Sequence, residues 1–185
     1  MSKDEKSIPA SSPDAEPLNR LHRLVLEMRG AFVDQTIWID VLVTDLLAHY
    51  FSPDPVRRSL LHSEVLTGRD ASFNGRLEVL EDVVNLSFPD FKKKYPLLFK
   101  SLSNIRRLRN RLAHAQVDNG DEFLRKGYTD RIQLVFHEKG SKRTQIIMVP
   151  EFKERLKECT KCILALVELQ QLISPVENES PTESR

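Results

Sequence analysis

Between Leu18 and Phe51 the apolar residues Leu18, Leu21, Val25, Met28, Phe32, Ile39, Leu42, Leu46 and Tyr50 follow one another at steps of three, four or seven. That spacing puts them on one side of an α-helix, with Leu24 and Trp38 thickening the stripe, and predicts one long helix or two collinear ones. Gly30 is the candidate for a kink. "FSPDP" ends the run, because Pro53 and Pro55 cannot continue a helix. A stripe of this length has to be covered by further elements.

Those elements can be read in turn. A shorter helix is expected over Val56–Leu66, broken at "TGRDAS", where Gly68 fixes the loop and Ser72 caps the next helix, "FNGRLEVLEDVVNLS". After "FPDFKKKYP" a helix begins near Leu97, with Leu98, Leu102, Ile105, Leu108 and Leu112 as its buried stripe. "QVDNGDEFLRKGY" reads as loop. The period then changes to two: Ile132, Leu134 and Phe136 alternate with Gln133, Val135 and His137, and "EKGSKR" turns the chain into "TQIIMV", so a β-hairpin is expected over about 131–149. Pro150 opens a last helix to about Ile173. Residues 1–16 and 175–185 are rich in Ser, Pro, Glu and charge with little to bury, which predicts disordered tails around one domain at 17–174.

Charge narrows the function classes. The chain of 185 residues carries a formal net charge of only +1, so binding of a polyanion has to come from a local patch. No apolar stretch suits a bilayer span and the N-terminus lacks the apolar core of a secretory signal, so a cytoplasmic protein with no membrane partner is expected. Cys159 and Cys162 form a CxxC without a second ligand pair, on a helix with Phe152, Leu156, Ile163 and Leu166. Reduced, packed thiols are expected, a metal or redox role being the alternative. His22, His49, His62 and His137 have no ligand spacing, and neither a metal nor a cofactor is expected. No glycine-rich phosphate loop is present.

The local patch is "NIRRLRNRLAHAQ", which gathers Arg106, Arg107, Arg109, Asn110, Arg111 and His114 on one helix. Like charges at helical spacing repel, so anionic ligands or carboxylates must compensate them. Asp40, Asp45, Glu64, Glu78, Glu81 and Asp82 are the acids at hand, and a His near a helix C-terminus can simply serve the helix dipole. At about 100° per residue, His114 points opposite Ile105, with Asn110 roughly 40° and Arg109 about 140° away from it. A twofold axis between two copies of the helix would bring Arg109 of one to His114 of the other. Lys92, Lys93 and Lys94, with Arg57, Arg58, Lys100, Arg106 and Arg107, are candidates for a phosphate-tracking footprint interleaved with Phe91 and Tyr95.

"RNRLAH", Arg109 to His114, matches the R-N-x-x-x-H signature. On it, and on the long first helix and the "LTGRDASFNGRLEVLEDVV" stretch, the chain from about Leu18 to Ile173 resembles the small prokaryotic HEPN proteins (higher eukaryotes and prokaryotes nucleotide-binding domains). The resemblance implies an all-α fold, an antiparallel bundle of four or so helices, here with a small β-hairpin before the last one. It also implies a homodimer and metal-independent endoribonuclease activity in defence or stress control. Arg109, Asn110 and His114 are the catalytic residues it carries over; the basic residues Arg106, Arg107, Arg111 and Lys92–Lys94 are the expected RNA contacts. Their chemistry suits self-cleavage of RNA: imidazole, with an ordinary pKa of about 6.5, is a base near neutrality, and the planar guanidinium matches a charged phosphorane. HEPN toxins with nucleotidyltransferase antitoxins often carry a Tyr two residues after the His. Gln116 stands there, so a dedicated antitoxin is not implied, although an antitoxin or regulatory protein stays among the partner classes beside RNA and a second copy. The alternative is a non-catalytic dimerising regulator, or a nucleotide- or RNA-binding module of the mannitol-repressor type.

Overall fold

A computed structural model describes residues 15–68, 71–138 and 140–174. The tails expected over 1–16 and 175–185 fall outside the described residues, except that residues 15 and 16 already belong to the first helix. In chain order the elements are α1 (Ala15–Phe51), α2 (Pro55–Leu60) running into a π-helical turn (Leu61–Leu66), α3 (Phe73–Ser87), α4 (Pro89–Lys94), α5 (Leu98–His114), β1 (Gln116–Val117), α6 (Asp121–Arg125), β2 (Arg131–Glu138), β3 (Ser141–Met148) and α7 (Val149–Ile173). The chain is therefore mostly helical with a small antiparallel sheet. No described helix is long and apolar enough to cross a membrane. Within the stretch read as one domain, the described residues gather into two compact units, 15–32 with 110–154 and 33–109 with 155–174. α1, α5 and α7 contribute to both.

α1 is a single helix of 37 residues, about 55 Å at 1.5 Å per residue, unbroken at Gly30. In the first unit its buried stripe is Leu21, Val25, Met28 and Phe32, and Phe32 meets Phe152 of α7 with ring centroids 5.7 Å apart. The strand order is β1-β2-β3, antiparallel throughout. Ile132 and Leu134 of β2 are fully buried and Ile132 pairs with Ile147, as the two-residue period requires. Glu138 pairs with Ser141, leaving a two-residue connection in which Gly140, at φ +78°, takes the left-handed conformation such turns need.

Three expectations change here. The segment read as loop contains β1 and α6, so the hairpin becomes a three-stranded sheet and the fold is not purely helical. Two-residue β1 is too short to show a period, and its pairing with Leu134 and Val135 is a long-range event. Lys142 and Arg143, read as turn residues, lie in β3.

In the second unit, Ile39, Val43, Leu46 and Leu47 of α1 are buried, as are Leu77, Leu80 and Val84 of α3, Leu98, Leu102 and Ile105 of α5, and Leu166 and Leu169 of α7. Trp38 does not thicken the stripe: it is 62% exposed, one residue off a face already filled by Ile39. Local caps fall where the sequence places them. Asp54 accepts from the Arg57 amide at 2.8 Å before Pro55, and Ser72 accepts from the Gly75 amide at 3.1 Å. The helix expected to reach Leu66 widens into a π turn over its last six residues, closed by Thr67 N–H donating to His62 O at 3.1 Å. Gly68 follows because a Cβ there would stand 2.9 Å from the Glu64 carbonyl oxygen. Arg76, buried on α3, then ties this stretch down by donating to the carbonyls of Leu66 and Ala71 and to the Asp40 carboxylate.

Candidate functional site

The basic helix α5 is amphipathic by construction. Leu98, Leu102, Ile105 and Leu112 are buried and Leu108 half-buried, whereas Arg107, Arg109, Asn110, Arg111 and His114 are exposed. Arg106 lies half-buried at the edge of the apolar stripe, with its Nε buried and without a hydrogen-bond partner. The boundary between the compact units falls within this helix, Arg109 ending one share and Asn110 starting the other.

In the first unit, Asn110 and His114 stand one turn apart, a spacing that places two side chains on the same face. The helix end below them is well tied. Ala115 N–H donates to Arg111 O at 2.8 Å, and the Ala115 carbonyl accepts from Arg29 Nη2 at 2.6 Å. A guanidinium on a carbonyl at a helix C-terminus satisfies an orphan acceptor and meets the negative end of the helix dipole. Arg111, expected among the RNA contacts, donates from Nη1 to Gln145 Oε1 at 3.0 Å and lies over the Phe136 ring at 5.4 Å. Its cation thus helps seat the end of α5 on β2 and β3.

Several of the acids expected to compensate the cluster serve other groups. Asp40 binds Arg76, Asp45 stands 3.2 Å from His62 Nε2, and Glu78 accepts from Asn74. The lysine run on α4 is also engaged. Lys93 pairs with Asp90 at 2.9 Å, and Lys94 donates to both Glu168 oxygens at 2.8 and 2.7 Å, with Tyr95 Oη donating to the same carboxylate at 2.7 Å. The hydrogen bonds from Lys94 and Tyr95 hold the Glu168 carboxyl below the usual glutamate value, and the bond to Glu168 raises Lys94 and Tyr95. Lys92 is exposed. Arg109, Asn110 and His114 are thus exposed positions of α5, and Arg111 and Lys94, also exposed, have polar partners within their own units.

Cys159 and Cys162 are free thiols buried in α7, and burial pushes both up to about 12. A neutral thiol is a poor nucleophile, and both side chains are packed in the core as apolar groups. Among the described residues no group of three or more His, Cys, Asp or Glu side chains is arranged to hold a metal ion.

Residues that periodicity did not single out complete the surroundings of the helix end. Asn19, His22 and Arg29 flank the apolar stripe of α1, and Gln116 and Asn119 follow α5; together they line a cavity in the first unit. The only trace in the sequence is their place at the edges of the Leu18–Leu21–Val25 stripe. Compared with family models, with curated proteins and with solved structures, the chain matches none.

Proposed function

We propose that the chain is a HEPN-type endoribonuclease, metal-independent and homodimeric, that cuts RNA by transesterification. The observation that carries this reading is the exposure of Arg109, Asn110 and His114 at the end of α5, a helix whose opposite side is core. In the reaction the 2′-hydroxyl attacks the adjacent phosphorus, a 2′-O–P bond forms and the P–O5′ bond breaks. His114 takes the 2′ proton, and the leaving 5′ oxygen takes a proton from water, which leaves a 2′,3′-cyclic phosphate and a 5′-hydroxyl. Arg109 carries the developing negative charge on the phosphorane, for which a fixed planar cation is suited. Asn110 orients the imidazole or bonds a phosphate oxygen.

A second reading, a non-catalytic dimerising regulator or nucleotide-binding module, is favoured by the internal use of Arg111 and Lys94, which removes two cations from the RNA footprint. One experiment separates the two. Purified full chain is incubated with several RNA classes in EDTA, beside a His114→Ala variant whose fold is checked by circular dichroism. The nuclease reading expects cleavage that persists in EDTA and falls at least 100-fold in the variant, the scale of a lost general base. No cleavage of any RNA, or full cleavage by the variant, overturns it.

A further inference from the structure

The cavity beside the end of α5 has a volume of 660 Å³ and lies wholly within the first unit. That size suits a small organic ligand. Its floor is apolar, formed by the buried Leu21, Val25 and Ala115. Three carboxamides, Asn19, Gln116 and Asn119, stand around it, and each offers a carbonyl acceptor and two N–H donors. Among the described residues that line it there is no carboxylate. Arg29, which also lines it, has one guanidinium nitrogen on the Ala115 carbonyl and a buried Nε without a hydrogen-bond partner.

These features select a ligand chemistry. A metal ion would meet no anionic donor and one guanidinium. An acyl chain would cover three carboxamides without replacing their hydrogen bonds with water, a costly exchange. A bare phosphate would use the single arginine and gain nothing from the apolar floor. A planar heteroaromatic base suits both the apolar floor and the carboxamides: its faces are apolar, and its edge alternates donors and acceptors that carboxamides pair with two at a time. The His22 imidazole adds a flat ring to the wall.

Resting on the nuclease reading above, we propose that this cavity is a nucleobase subsite, which receives a base of the RNA strand next to the bond cut at His114. Its wall begins at Ala115, the residue after His114, and consecutive Cα atoms are about 3.8 Å apart. A base seated there keeps its own strand beside the helix end. The subsite makes the enzyme base-selective at one position, and the selection lies in side chains that take no part in the proton transfer.

Binding is tested separately from cleavage, with the full chain in the His114→Ala background. The probes are short RNA oligonucleotides, 2′-deoxy at the expected cut, that differ in one base at each position, together with the four nucleoside monophosphates. The expected result is a preference of about tenfold for one base at one position. Gln116→Ala and Asn119→Ala reduce that preference to near unity, and Asn19→Trp, which fills the cavity, weakens binding of the preferred oligonucleotide. All three positions are exposed, so the fold tolerates the changes. Equal base preference in the His114→Ala protein with and without the added substitutions overturns the subsite even if the wild-type chain cuts RNA. Monophosphates bound more tightly than the oligonucleotide overturn its assignment to an RNA strand in favour of a free nucleotide. A base preference that the variants abolish, in a chain that cuts no RNA, retains the base pocket and removes the nuclease reading.

Discussion

At the scale of single residues, the motif separates charges by what surrounds them. Arg111 has an aromatic face and a carboxamide to hold it, whereas His114 ends an exposed turn. If cleavage runs as proposed, His114→Gln abolishes turnover and leaves RNA binding nearly intact, since the base acts in the transition state. Arg109→Lys keeps a point charge without the two-point fork and retains weak cleavage. Arg106→Ala and Arg107→Ala lower affinity, and each flattens the salt dependence by somewhat under one unit of slope. Binding titrations across a salt series, read beside single-turnover rates, check the set. Equal binding losses in all four variants would reduce the cluster to a plain basic patch.

Elements are joined by polar ties as well as by core. Lys94 and Tyr95, at the end of α4, converge on Glu168 of α7. Because the Glu168 carboxyl is held below its ordinary value of 4.5, the tie stabilises the fold above that value and loses its contribution as pH falls through the lowered one. Lys94 is raised above 10.5, so its share is present below that value and fades as pH rises through the raised one. Glu168→Gln is therefore expected to unfold at a lower urea concentration than wild type near pH 7. The gap between the two midpoints closes in acid, and the pH series of midpoints is the measurement. The exposed setting keeps the effect small. The Arg76 tie differs in kind, since a buried guanidinium there satisfies the carbonyl at the end of the π turn, Leu66, and the loop carbonyl of Ala71.

For the whole molecule, the helix geometry bears on assembly. Arg109 and His114 diverge by about 140° around a straight helix, so the proposed chemistry draws the arginine and the imidazole from different copies across a twofold axis. Light scattering at micromolar concentration is expected to give a dimer. Mixing Arg109→Ala with His114→Ala protein, each inactive alone, should restore about a quarter of wild-type cleavage. Half of randomly paired dimers are mixed, and each mixed dimer retains one intact site of two. A monomer, or no recovery on mixing, removes the composite site.

The helices followed from the sequence alone because their cause is local. The three- and four-residue spacing from Leu18 to Tyr50, the prolines at 53 and 55, and the Ser72 cap each act within a few turns, and α1, α2 and α3 appear where those signals lie. The alternation at Ile132 and Leu134 made β2 readable for the same reason. Tertiary structure decided what depends on partners distant in the chain. Two-residue β1 exists through its pairing with β2, and Trp38 is left outside because Ile39 already fills the adjoining face. Asp40 is drawn to Arg76 rather than to the motif arginines. The candidate catalytic residues were visible as a motif on one helix, but the cavity beside them was not, since Asn19 and Gln116 are brought together only when α1 meets the chain after α5. Periodicity reports which side of an element is buried; which buried or exposed groups meet is set by packing between elements far apart in the chain.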